Sequence, residues 1–62
     1  MTNQKVREKL INVLENEGLK LSFIASKLNW NYQNISSFKN GNREYAIERL
    51  RELDGFLDTY LS

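Results

Sequence analysis

Residues 24 to 41 read IASKLNWNYQNISSFKNG. Ile24, Ala25 and Leu28 are spaced as apolar residues on one face of a helix. The pattern breaks at Asn29-Trp30-Asn31, resumes at Ile35 and Phe38, and stops at Asn40-Gly41. Two short helices with a tight joint between them make a helix-turn-helix. Asn31 is a good N-cap for the second helix, and Asn-Gly is a good stop for it. Ala25 sits where the two helices approach most closely, which suits a small side chain. Trp30, Ile35 and Phe38 are spaced to face back into a core.

Helical periodicity continues on both sides. From Gln4 to Glu17, Val6, Leu10, Val13 and Leu14 form one stripe, with Lys5, Glu8, Lys9 and Glu15 around the remainder. Thr2 or Asn3 can cap its start, and Gly18 suits the left-handed residue past its end. The second segment, Leu21 to Leu28, turns Leu21, Ile24, Ala25 and Leu28 inward. Ser22 is its cap if it starts late. The fourth segment is expected to start near Arg43, with Ala46, Leu50, Leu53, Leu57 and Leu61 on one stripe. Gly55 either splits it in two or is tolerated at a cost of ~1 kcal/mol. No alternating strand pattern of useful length competes, so the expectation is an all-α domain of four to five short helices.

Length and composition set the outer limits. The chain has 62 residues, enough for one domain and one core, here residues 1–62. A domain of this size buries only ~60% of the surface its unfolded chain exposes. It holds no cysteine and no histidine. That removes disulfides, thiolate metal sites, zinc-finger spacings and the Ser/Cys–His dyads. No apolar run resembles a signal peptide or spans a bilayer. The resulting expectation is a cytoplasmic protein with no metal, cofactor or small-molecule ligand. An enzyme would have to work with a carboxylate pair, yet Glu44, Glu48 and Glu52 fall at i, i+4 as the acidic edge of a helix.

The net charge of +1 conceals an uneven distribution. In residues 1–17, Lys5, Arg7 and Lys9 cancel Glu8, Glu15 and Glu17. Residues 18–43 carry Lys20, Lys27, Lys39 and Arg43 and no acid. Residues 44–62 carry Arg49 and Arg51 against Glu44, Glu48, Glu52, Asp54 and Asp58. A locally positive surface attracts phosphate without making the whole molecule basic.

The middle of that acid-free window is chemically unusual. If Ile35 and Phe38 point inward, a rotation of ~100° per residue puts Gln33, Ser36, Ser37 and Asn40 on the opposite face. A merely solvated helix face carries Lys and Glu, as the first and last segments do. A face of amides and hydroxyls suits the reading of base edges: glutamine and asparagine bond adenine bidentately, and serine donates or accepts. Of the eight asparagines, five lie between residues 29 and 42.

The stretch LSFIASKLNWNYQNISSFKNG, residues 21 to 41, resembles the helix-turn-helix of the lambda repressor/Cro-like (XRE) family. The resemblance rests on Ala25 flanked by Ile24 and Leu28, the apolar turn residue Trp30, the buried positions Ile35 and Phe38, and the terminal Asn40-Gly41. It extends over nearly the whole chain through the flanking amphipathic segments. It implies a lambda repressor-like fold with its third helix in the major groove. The family's base-reading positions fall on Tyr32, Gln33, Ser36 and Ser37. Its phosphate-contacting positions fall near the start of the second helix, where Lys20 stands in, and in the loop after the third, on Lys39, Asn40, Asn42 and Arg43; Lys27 and Asn31 are further phosphate candidates beside them. The chain departs from the family pattern in three places. Asn29 stands where the turn usually holds glycine, Lys20-Leu21 stand where the second helix usually opens with a capping hydroxyl and glutamine, and the usual Pro-Ser start of the fourth helix is absent.

On this resemblance the expected partner is double-stranded DNA with a palindromic operator, bound by a homodimeric repressor that occludes a phage, plasmid or mobile-element promoter. The expected dimer contacts are Phe56 and Tyr60, an i, i+4 aromatic pair beside the Leu50, Leu53 and Leu57 stripe. Two alternatives stand beside it. One is a protein-binding helix-turn-helix module (adaptor, antirepressor or nuclease inhibitor), favoured by Phe23 and Ile11 lying off their core stripes. The other is the DNA-binding half of a longer protein.

Overall fold

The computed structural model describes residues 1–61. It holds four helices and, among the described residues, no strand: α1 (Asn3–Glu17), α2 (Leu21–Leu28), α3 (Tyr32–Lys39) and α4 (Ile47–Asp58). Thr2 caps α1 by accepting from the Lys5 N–H at 3.1 Å. Gly18 ends it in the left-handed region with φ 67°, where a side chain would crowd the following carbonyl. The helix α2 begins at Leu21 behind Lys20, which makes no side-chain capping bond, so Ser22 lies inside the first turn rather than ahead of it.

The α2–α3 joint is tight because Asn29 takes φ 60°. Asparagine tolerates that conformation better than other side chains do, which explains how the turn forms without glycine. The Asn29 N–H then donates to the Ser26 carbonyl at 3.1 Å and the Trp30 N–H to the Ala25 carbonyl at 2.8 Å. These two bonds close a Schellman turn. Asn31 opens α3, its side chain accepting from the Gln33 and Asn34 N–H groups at 2.8 and 3.2 Å. A second Schellman turn ends α3: the Gly41 N–H reaches the Phe38 carbonyl at 3.1 Å and the Asn42 N–H the Ser37 carbonyl at 2.9 Å.

All four helices give residues to one core: Val6, Leu10 and Val13 from α1, Ile24 and Ala25 from α2, Ile35 and Phe38 from α3, and Leu50, Leu53 and Leu57 from α4. Among the described residues, no polar residue is buried with them. Leu14, Leu21, Leu28 and Trp30 pack against this cluster as a half-covered rim. Each fully buried aliphatic side chain of the core cluster contributes roughly 1.5–3 kcal/mol relative to exposure.

The fourth helix differs from expectation at both ends. It begins at Ile47, not near Arg43. Residues 43–46 stay out of the helix because Asn3 engages both backbone groups of Tyr45, donating to its carbonyl at 3.2 Å and accepting from its N–H at 2.7 Å. Ala46 is therefore an exposed, extended cap residue with ψ 163° rather than part of the buried stripe. Leu61, at 42% exposure, lies past the helix end and leaves the stripe too. Gly55 sits inside α4 without dividing it, so of the four to five helices expected, four form among the described residues. Lys9 joins α1 to α4 through Asp54 at 2.8 Å and through Asp58. No helix among the described residues is long and apolar enough to cross a membrane.

Candidate nucleic-acid interface

Burial of Ile35 and Phe38 fixes the rotation of α3. Tyr32 and Gln33, in its first turn, are exposed, Tyr32 by 51%. Ser36 and Ser37, one turn on, are half-covered, and Asn40 at the end is exposed. Among the described residues, none of the side chains of Gln33, Ser36, Ser37 and Asn40 takes part in an intramolecular hydrogen bond. Their donors and acceptors remain available to another molecule.

The residues expected to meet phosphate lie in and just before α2, at the two ends of α3 and in the loop beyond it. Lys20 precedes α2 and is exposed. A cation at the positive end of a helix dipole adds nothing to helix stability, so this lysine is not explained by capping. Lys27 is exposed in the last turn of α2, its ammonium 5.5 Å from the centre of the Phe23 ring. Asn31 is exposed, but its carboxamide oxygen is committed to capping α3; only its amide donor stays free. Lys39 is half-buried, whereas Asn42 and Arg43 are exposed in the loop beyond α3.

That loop is anchored by residues the sequence did not single out. The Arg7 guanidinium donates from Nε to the Phe38 carbonyl at 2.5 Å and from Nη2 to the Arg43 carbonyl at 3.2 Å. It also lies 4.9 Å from the centre of the Phe38 ring, within cation–π range. Tyr45 stacks on Phe38 with ring centres 4.8 Å apart and meets Trp30 edge-on at 5.2 Å. Arg49 covers the Trp30 ring at 4.9 Å. Burial pushes the Tyr45 phenol above its usual range, opposed by the charges of Arg43 and Arg49. Its hydroxyl is buried without a partner. Nothing in the periodicity marks Asn3, Arg7 or Tyr45: they are polar or isolated residues whose hydrogen-bond partners lie 31 to 42 positions away.

Phe56 stands on the flank of α4, while Tyr60 lies in the turn past its end rather than one helical turn along it; their ring centres are 5.4 Å apart. Both are half-covered by the core of their own chain. Phe23 is 38% exposed, while Ile11 is half-buried rather than free. Comparison with protein-family models, curated proteins and solved structures returns no significant match to this chain.

Proposed function

We propose that this chain is a sequence-specific double-stranded DNA-binding regulator with a lambda repressor-like fold, acting as a Cro-like repressor by occluding a promoter. One observation carries the reading. The exposed side of α3 presents amides and hydroxyls with no intramolecular partners, inside a stretch of 26 residues, 18–43, that contains four cations and no acid. Gln33 and its neighbours supply base-edge contacts. Lys20, Lys27, Lys39 and Arg43 supply charge toward phosphate.

A single short helix spans too few base pairs for a unique site, so the functional species is a homodimer with two recognition helices about 34 Å apart on a palindromic operator. Phe56 and Tyr60 are the proposed contacts between subunits. Sedimentation of the Phe56→Ala and Tyr60→Ala variants tests this choice. A dimer dissociation constant unchanged in both moves the interface elsewhere, and a single chain protecting one half-site at every concentration removes the dimer.

The decisive experiment measures binding of the purified protein to the DNA upstream of its own gene and to random DNA at two salt concentrations. Tighter binding to the former is expected, with affinity falling against log salt at about −0.9 per phosphate contact. The exposed Phe23 ring favours one other reading, a protein-binding module. Absence of DNA binding at low salt, together with a tight protein partner contacting Phe23, would establish that reading instead.

A further inference from the structure

We infer that Arg7 is a positioning residue for the DNA-contacting end of α3 and for the loop that follows it. The inference rests on the DNA-binding reading above. Arg7 belongs to α1 and is joined to the end of α3 and to the loop beyond it. Its two hydrogen bonds bracket residues 39–42: one is to the Phe38 carbonyl and the other to the Arg43 carbonyl. Between those anchors lie Lys39, Asn40 and Asn42, and Arg43 carries the second anchor on its own backbone. Arg7 thus grips the loop by its main chain and leaves the loop's side chains free.

The chemistry of the contact requires an arginine. The carbonyls at the C-terminal end of α3 carry the negative end of its dipole, which a cation stabilises. The Phe38 carbonyl accepts simultaneously from Arg7 and from the Gly41 N–H, so Arg7 also secures the Schellman turn. The planar fork reaches two acceptors in fixed directions while its face lies over the Phe38 ring. A lysine ammonium is a point charge on a flexible stem and cannot keep this arrangement. Among the described residues no acidic side chain forms an ion pair with Arg7. Backbone carbonyls, not a carboxylate, hold it.

The test uses Arg7→Lys and Arg7→Gln in the full chain, with amide hydrogen exchange and DNA affinity measured at a temperature where circular dichroism shows full helicity. The duplexes are one selected from a random pool and one unselected. Losing charged hydrogen bonds should speed exchange at Gly41 and Asn42 by about tenfold relative to Val13, and weaken both duplexes by about tenfold. The salt slope should not change, because Arg7 itself neutralises no phosphate. If Arg7→Gln unfolds, Arg7→Lys decides, since its stem still covers Phe38. Wild-type exchange at Gly41 and Asn42 in Arg7→Lys overturns the inference. So does wild-type affinity in Arg7→Lys combined with a slope shallower by about one in Arg7→Gln, which marks a direct phosphate contact. A wild-type chain that binds no duplex overturns the DNA-binding reading and this role with it, while the exchange measurement still shows separately whether Arg7 holds the loop.

Discussion

The side-chain amide of Asn3 pairs with the backbone of Tyr45 in both directions, accepting from its N–H at 2.7 Å and donating to its carbonyl at 3.2 Å. The start of α1 is thereby fastened to the loop ahead of α4. Asn3→Ala should lower stability by about 1–3 kcal/mol, the sum of two typical intramolecular hydrogen bonds. Urea denaturation checks it: the midpoint should fall with an unchanged slope. An unchanged midpoint would mean that the pair contributes nothing in solution.

Tyr45→Phe should stabilise the protein. The phenol oxygen is buried and unpartnered, whereas the ring contacts with Phe38 and Trp30 do not depend on it. Relieving one unsatisfied group adds about 1 kcal/mol, which in a domain this small raises Tm by roughly 4–8 °C. The sign of its pH dependence follows from burial, which raises the phenol's folded-state pKa. The unfolded chain ionises first, near pH ~10, so stability falls as pH rises above that value. Tyr45→Phe should reduce this alkaline loss.

Lys9 should add to the same alkaline decline. Hydrogen bonds donated to Asp54, then Asp58, hold its ammonium above its ordinary value of 10.5. Its contribution is fully present below that pH and is lost as pH rises through the folded-state value. The pair is partly exposed, so Lys9→Met should cost no more than about 1 kcal/mol at neutral pH. Thermal melts between pH 7 and 11 should show a shallower alkaline fall in the variant than in the wild type.

Gln33 and Arg43 should separate discrimination from affinity. On the DNA-binding reading, Gln33→Ala costs about 1–3 kcal/mol against the preferred site and relaxes preference at one base pair. Arg43→Ala weakens all sequences alike and makes the salt slope shallower by about one. Selection from a random duplex pool followed by salt titration checks both. An unchanged preferred sequence in Gln33→Ala would assign the reading to other residues.

The helices were legible in the sequence where local chemistry and apolar spacing agree. Gly18, Asn31 and Gly41 mark boundaries through backbone and capping preferences, and Ile35 with Phe38 fixes which side of α3 is inward. The segment 43–46 was not legible for the opposite reason. Its conformation comes from the long-range contacts of Asn3 and Arg7 and from the aromatic seat of Tyr45 on Phe38. A window that reads Ala46 at helical spacing from Leu50 has no access to them. The same limit applies to the candidate interface. Exposure of Tyr32 and Gln33 follows from periodicity, whereas the anchoring of the Asn42–Arg43 backbone depends on a residue 36 positions earlier.

The outward side of α3 owes nothing to the bonds that hold the molecule together. Gln33, Ser36, Ser37 and Asn40 make no side-chain hydrogen bond within the described chain, and none belongs to the core. Exchanges at the exposed Gln33 and Asn40 therefore leave the scaffold's folding free energy nearly untouched. On the DNA-binding reading, a lineage of such chains is free to diverge in what this helix recognises at Gln33 and Asn40 while its architecture stays the same, and a designer is free to randomise those two positions together.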